Sequence, residues 1–144
     1  MKQDHLKKLE NLYYAAPINE ALNPTISISE KRTTIEQFIG QSQCHAGNFA
    51  HGSVIFKLLD DAAYFAAATS QTEFFLVTAS YDIKFKNPAP VGRYKAIGEL
   101  IESSGRMLTA ESKVIDKNEQ VIAKGKGLFI PTKQPLSDLA GYSS

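Results

Sequence analysis

The sequence predicts an α+β fold in which a curved antiparallel sheet of five to six strands wraps one long central helix. Residues 53–69, SVIFKLLDDAAYFAAAT, contain no proline or glycine and are rich in alanine and leucine, which predicts that helix. From residue 75 onward apolar and polar residues alternate with period two, as strands with one buried face require. The links between those stretches are short and carry turn formers, which predicts an antiparallel meander.

Before the long helix, Asp4 is placed to cap a short helix in which Leu6, Leu9 and Tyr13 recur at helical spacing, and Pro17 opens another turn that reaches Leu22. Asn23 and Pro24 end this N-terminal helical segment, residues 1–24. Thr25 to Ser29 and Thr33 to Ile39 read as one bent strand or a hairpin. After the helix, strands are expected at 75–85, 94–101, 107–116 and 120–130, with Pro131 stopping the last. In the first of these, Phe75, Val77, Ala79, Tyr81, Ile83 and Phe85 fall on one face and Leu76, Thr78, Ser80, Asp82 and Lys84 on the other. Residues 25–131 form the single core domain, and 132–144 read as a loose polar tail.

Composition narrows the function. With 16 Lys plus Arg against 15 Asp plus Glu in 144 residues, the net charge of +1 offers no field to attract nucleic acid. A chain of this size buries about two-thirds of its unfolded surface, enough for one core without staples. A single cysteine, Cys44, makes no internal disulfide, which favours a reducing compartment. The start, MKQDHLKKLE, lacks the apolar stretch of a signal peptide, and no run of about 18 apolar residues occurs, so the reading is cytoplasmic with no membrane partner.

Residues 40–52, GQSQCHAGNFAHG, hold two histidines, three glycines and the cysteine with neither hydrophobic period, and they lead straight into the long helix. The unpaired backbone N–H groups of a helix start polarise a carbonyl, and Gly52 lets a ligand come close; equally, Ser53 serves as a plain N-cap and Gly52 as a turn residue. Halfway along the helix stand Asp60 and Asp61. Because a carboxylate in an apolar helix is costly unless paired or hydrated, two in succession need a reason. Their side chains point about 100° apart. One is expected to pair with a lysine across an interface while the other faces a cleft, as a base or nucleophile. Since the sheet covers one side of so apolar a helix, a second copy of the chain is expected on the other.

The run HGSVIFKLLDDA, residues 51–62, resembles the HGG…D signature of hotdog-fold acyl-CoA thioesterases of the phenylacetate-degradation type. LVTASYDIKFKNPAPVG resembles that family's strand after the helix, and SSGRMLTAESKVID with VIAKGKGLF resembles its last two strands. The resemblance implies a homodimer or dimer of dimers that hydrolyses an acyl-CoA thioester. It makes Asp60, nine residues after His51, the catalytic carboxylate, supplied across the subunit interface. It assigns carbonyl polarisation to the Gly52 N–H, water placement to the Thr78 hydroxyl and loop support to His51. Two positions depart from the pattern: Ser53 replaces the second glycine, and His45, six residues before His51, stands where the family often has Asn. Asn48 is near enough in the loop to substitute.

Thioester hydrolysis suits a sparse site, because the leaving thiol departs as thiolate without a strong acid. Neither metal nor organic cofactor is expected: Cys44, His45 and His51 match no zinc spacing. For the coenzyme A phosphates the candidates are Gly105, Arg106, Lys124 and Lys126, and for the acyl group Phe56, Tyr64, Phe74 and Phe75. The rival readings are a non-catalytic hotdog module that binds acyl-CoA or a lipid-like ligand, a dehydratase on the same fold, an attack by Cys44, and an unrelated α+β ligand-binding cone.

Overall fold

The computed structural model describes residues 2–144. Two short helices, α1 (Lys2–Ala15) and α2 (Asn19–Leu22), precede strands β1 (Thr25–Ser29) and β2 (Arg32–Ile39). The long helix α3 (Gly52–Ala68) follows, and then β3 (Phe74–Phe85), β4 (Gly92–Ser104), β5 (Met107–Ile115) and β6 (Val121–Pro135). All six strands form one antiparallel sheet in the order β1-β2-β4-β5-β6-β3. The first two strands are thus a hairpin, turned at Glu30–Lys31.

The expected meander holds only for β4, β5 and β6. Strand β3 pairs with β6 at the far edge instead of with β4, its successor. Three strand spacings, about 14 Å, separate β3 from β4. The six residues 86–91, in extended proline-rich backbone, reach about 20 Å, so the corner crosses the end of the sheet without a helix.

A lane of small residues lets α3 settle onto the sheet. Gly98, Ser112 and Gly125 stand opposite one another on β4, β5 and β6. A Cβ on Gly98 would lie 2.1 Å from the Ala62 carbonyl oxygen of α3, so no side chain fits there. Ser112 Oγ donates to the Leu59 carbonyl at 2.7 Å and also bonds the Tyr81 hydroxyl, whose ring fills the space over Gly125 and Gly127. Above this lane Leu58, Leu59, Ala62, Ala63 and Ala66 are fully buried.

The regular alternation expected in β3 is broken. Thr78 pairs with Phe129 and Ser80 with Leu128, leaving Ala79 as the extra residue of a bulge. The phase therefore flips: Leu76 and Thr78 turn toward α3 before the bulge, Tyr81 after it.

The ends of the chain are also more ordered than expected. β6 runs through Pro131 to Pro135, tolerating prolines beside the sheet edge with a register shift opposite Phe74 and Leu76. The tail then returns to α1: Leu136 is buried, and Asn11 Nδ2 donates to the Ser143 carbonyl. Buried His5 sits between Ala68 and Tyr142; its Nε2–H donates to the Ala68 carbonyl at 2.9 Å, and its Nδ1 accepts from the Tyr142 hydroxyl. So α1 and the tail, rather than only a second copy, cover the C-terminal half of α3. Among the described residues, no helix is long and apolar enough to cross a membrane.

Gly98→Ala should cost about 3 kcal/mol or more in denaturant unfolding, the upper end of overpacking, because helix backbone and not a flexible side chain stands in the way. Burial holds the His5 pKa below its usual 6.5, although the Ala68 bond opposes the shift. The unfolded ring therefore takes up a proton that the folded ring refuses. Stability is fully present above about 6.5 and falls as pH drops toward the lowered value. His5→Gln should flatten this acid-side loss in Tm measured against pH.

Candidate active site

The two successive carboxylates of α3 have different fates. Asp61 Oδ2 accepts from Lys57 Nζ at 2.6 Å and from the Tyr13 hydroxyl at 3.0 Å. Lys57 lies one turn back on the same helix, so the pair expected across an interface forms within α3 instead. Asp60, 100° further round, is left to a different surface. Among the described residues its hydrogen-bond partner is Thr78, whose Oγ1 donates to Asp60 Oδ1 at 2.8 Å. The bulge at Ala79 is what lets Thr78 and Tyr81 both face the helix.

Burial raises the Asp60 pKa above the ordinary 3.8; the Thr78 hydroxyl and Lys57 pull it down, and the charge of Asp61 pushes it up. The carboxylate is thereby made a stronger base than one in water. It faces an apolar cavity of about 500 Å³ lined by Tyr64, Phe65, Phe75, Leu76 and Val77, with α1 and the tail on its other side.

At the start of α3 the cap is His51, not Ser53. His51 Nδ1 accepts from the Ser53 backbone N–H at 3.1 Å and lies 2.8 Å from Ser53 Oγ. This hydrogen bond satisfies one of the helix-start donors. Gly52, the first helical residue, opens onto a second cavity of about 420 Å³ with His45, Phe49, Ile55, Phe85, Lys86 and Asn87. A Cβ on Gly52 would make only ordinary contact with the Phe85 ring, at 3.5 Å, so the fold itself does not demand glycine there. His45 shares this cavity, its Nδ1 accepting from the Gly47 N–H at 2.9 Å. Asn48 does not; its carboxamide oxygen takes the Gln41 side chain at 3.1 Å.

The predicted residues thus gather in two places, His45 with Gly52 and Asp60 with Thr78. Eight helical steps separate Gly52 from Asp60, about 12 Å along the axis, so one chain does not bring its own pair to one carbonyl. Lys124 and Lys126 lie elsewhere, exposed on the outer face of the sheet away from α3, in register with Lys84, Lys113 and Glu111. Arg106 donates to the Pro131 carbonyl at 3.0 Å beside Gly105, whose φ of 59° makes the β4–β5 turn. Of the acyl candidates, Tyr64 and Phe75 line the Asp60 cavity, whereas Phe56 packs edge-on against Tyr81. One site residue lies outside the sequence reading: Lys86 stands at the Gly52 cavity, just ahead of the proline corner. Tyr64, expected at the acyl group, fixes the cavity wall by donating to the Leu76 carbonyl at 2.7 Å. Among the described residues no cluster of three or more His, Cys, Asp or Glu is placed to hold a metal ion.

Comparison with known proteins gives this arrangement a context. The family model described as "Thioesterase superfamily" matches residues 47–123, which include Gly52, Asp60 and Thr78. A protein of Saccharolobus solfataricus with a provisional esterase name is 24% identical over 143 residues, spanning 83% of this chain and 95% of that one. Among solved structures, the E. coli PaaI protein of the phenylacetic acid degradation operon superposes with a TM-score of 0.84 at 15% identity, covering 93% of this chain and 97% of that one. A thioesterase family protein of Silicibacter pomeroyi gives 0.81 at 18% identity, covering 88% and 96%.

Removing the hydroxyl should raise the Asp60 pKa further, because Thr78 is the larger of the two influences that lower it. Carbon-detected NMR titration of Asp60 in the wild type and in Thr78→Val checks this; the wild-type midpoint should already lie above 3.8.

Proposed function

Because the chain belongs to the thioesterase superfamily and has its hotdog fold, we propose that it hydrolyses acyl-CoA thioesters, with Asp60 as the catalytic carboxylate. The observation that carries this reading is the isolation of Asp60: a half-buried carboxylate in an apolar cavity, held by one hydroxyl while the adjacent lysine serves its neighbour. Such a group destabilises the fold at neutral pH, and a reaction that uses its basicity accounts for its retention.

The site is completed by two chains. A thioester carbonyl that accepts from the Gly52 N–H lies about 12 Å from the Asp60 of the same chain, out of reach. Strand β3 supplies a surface for the second copy: it is a twelve-residue edge strand, open on one side, with Val77 and Phe85 exposed along it. Antiparallel pairing of β3 with its copy sets each Asp60 facing the other chain's helix start. A homodimer is then the smallest active unit, and dimers of dimers are compatible with it.

In the reaction the Gly52 amide and the positive end of α3 draw the carbonyl oxygen, and the charge that develops there is met by the helix start. Asp60 takes a proton as the water oxygen bonds to the carbonyl carbon, or attacks that carbon itself and is released by water in a second step. The C–S bond breaks and coenzyme A leaves as thiolate, which gains its proton from solvent. Thr78 holds the carboxylate in one orientation. His51 keeps the helix start ordered. His45 lies in the Gly52 cavity, where its free ring nitrogen can donate to the carbonyl, and Asn48 has a structural role with Gln41. Lys86, with the exposed β4–β5 turn at Gly105 and Arg106, supplies cations for phosphates at the rim; Lys124 and Lys126, on the outer face, take part only from another subunit.

Asp60→Asn should lower thiol release from acyl-CoA by at least about 10²-fold, the contribution of a general base, while its Tm stays equal or rises because a desolvated charge is gone. Asp61→Asn should lower it far less. In the wild type the acid limb of kcat/KM should sit above the usual carboxylate pKa of 3.8, and activity should fall as pH drops through that raised value. Acyl-CoA binding with no thiol release by the wild type would favour the non-catalytic module instead.

A further inference from the structure

The cavity beside Asp60 is walled on one side by two segments that lie outside residues 47–123, the stretch shared with the superfamily. Leu12, Ala16 and Ile18 come from the N-terminal segment, and Leu139, Ala140 and Gly141 from the tail. Apart from the two carboxylates, Thr78, Asn19 and the tyrosine hydroxyls, everything facing the space is carbon-rich.

Both walls are tied down. Lys57 Nζ, besides holding Asp61, donates to Asn19 Oδ1 at 2.6 Å, and Asn19 Nδ2 donates to the Tyr13 carbonyl at 2.8 Å. The Tyr13 hydroxyl reaches Asp61, and its ring meets Phe65 edge-on with centroids 5.2 Å apart. The bend between α1 and α2 is therefore clamped onto α3 one residue from Asp60. The tail is held by His5 with Tyr142, and it lies so close to α1 that a Cβ on Gly141 would fall 2.7 Å from the Ala15 Cβ.

We propose that the α1–α2 bend and the C-terminal tail together form the wall that selects the acyl group, taking an unsubstituted aliphatic or aryl chain and setting its length. This rests on the thioesterase reading of Asp60 and extends it to the substrate. The Lys57–Asp61 pair is then a positioning device, which explains why the second of two costly carboxylates is kept. An acyl chain bearing hydroxyl or charge would lose its hydration against Leu12, Leu139 and Phe75 with few partners in return. Each methylene that gains or loses this wall is worth about 0.8 kcal/mol, or about fourfold in kcat/KM.

The test is thiol release by the wild type, Ala16→Phe and Leu139→Ala on saturated acyl-CoAs of increasing length, with a hydroxylated analogue beside each. Ala16→Phe fills the cavity and should move the optimum to shorter chains; Leu139→Ala opens it and should move the optimum to longer ones. In both, the ratio of kcat/KM for long to short substrates is the readout, about fourfold per methylene displaced, and the hydroxylated analogues should trail their parents. Should Ala16→Phe fail to fold, the milder Leu139→Ala decides alone. An active wild type whose length ratio neither variant moves overturns the proposal and leaves the thioesterase reading standing. A wild type that releases no thiol from any acyl-CoA overturns both.

Discussion

Everything in this molecule is positioned by how closely α3 lies on its sheet. The Ala62 carbonyl occupies the place where a side chain on Gly98 would be, and the Ser112 hydroxyl bonds the helix backbone across the same narrow gap. Backbone against backbone leaves little freedom to slide or roll. The helix start, its midpoint and its C-terminal end are therefore fixed relative to the strands, to within what tightly packed interiors allow. The candidate site, divided between the start and the middle of this rod, inherits that rigidity without any dedicated support.

The same rod separates two chemically identical side chains. Asp60 and Asp61 differ by one step of helix rotation, and that step decides their surroundings. Asp61 meets an ammonium and a phenol, so its charge is compensated and it serves to hold the N-terminal bend. Asp60 meets a single neutral hydroxyl and apolar walls, so its ionised form is disfavoured and its proton affinity rises. One carboxylate ties two elements together and the other keeps a raised proton affinity. The proposed division of labour across two copies of the chain follows from length alone, because a helix carries its start and its middle too far apart to act on one carbon atom.

How much of this was legible beforehand depended on whether the signal was local. The helix 53–69 and its burial followed from alanine, leucine and the absence of breakers, and Leu6, Leu9 and Tyr13 did form the buried stripe of α1. The strand β3 was located within a residue, yet its facing was misread, because a bulge depends on how the neighbouring strand pairs and leaves no mark in the alternation itself. The meander failed for a similar reason: a proline-rich corner of six residues reads the same whether it joins adjacent strands or crosses to the far side of a sheet. Lys124 and Lys126 looked like any basic strand residues, and only the direction of the pleat put them on the outer face. The tail read as loose because its anchors are scattered: Gly141 and Tyr142 find their partners more than a hundred residues away on α1, and buried Leu136 bonds the Glu73 carbonyl ahead of β3.

The amino-acid sequence by itself determined the elements, the loop that opens onto Gly52, and the presence of a carboxylate pair in an apolar helix, since propensity, periodicity and the cost of buried charge act over a few neighbouring residues. Only the tertiary structure decided which aspartate is compensated, which cavity Thr78 and Tyr64 share, and that the N-terminal segment and the tail line it. Those outcomes depend on contacts between segments distant in sequence, where a single bulge or the crossing of one connection changes which atoms meet.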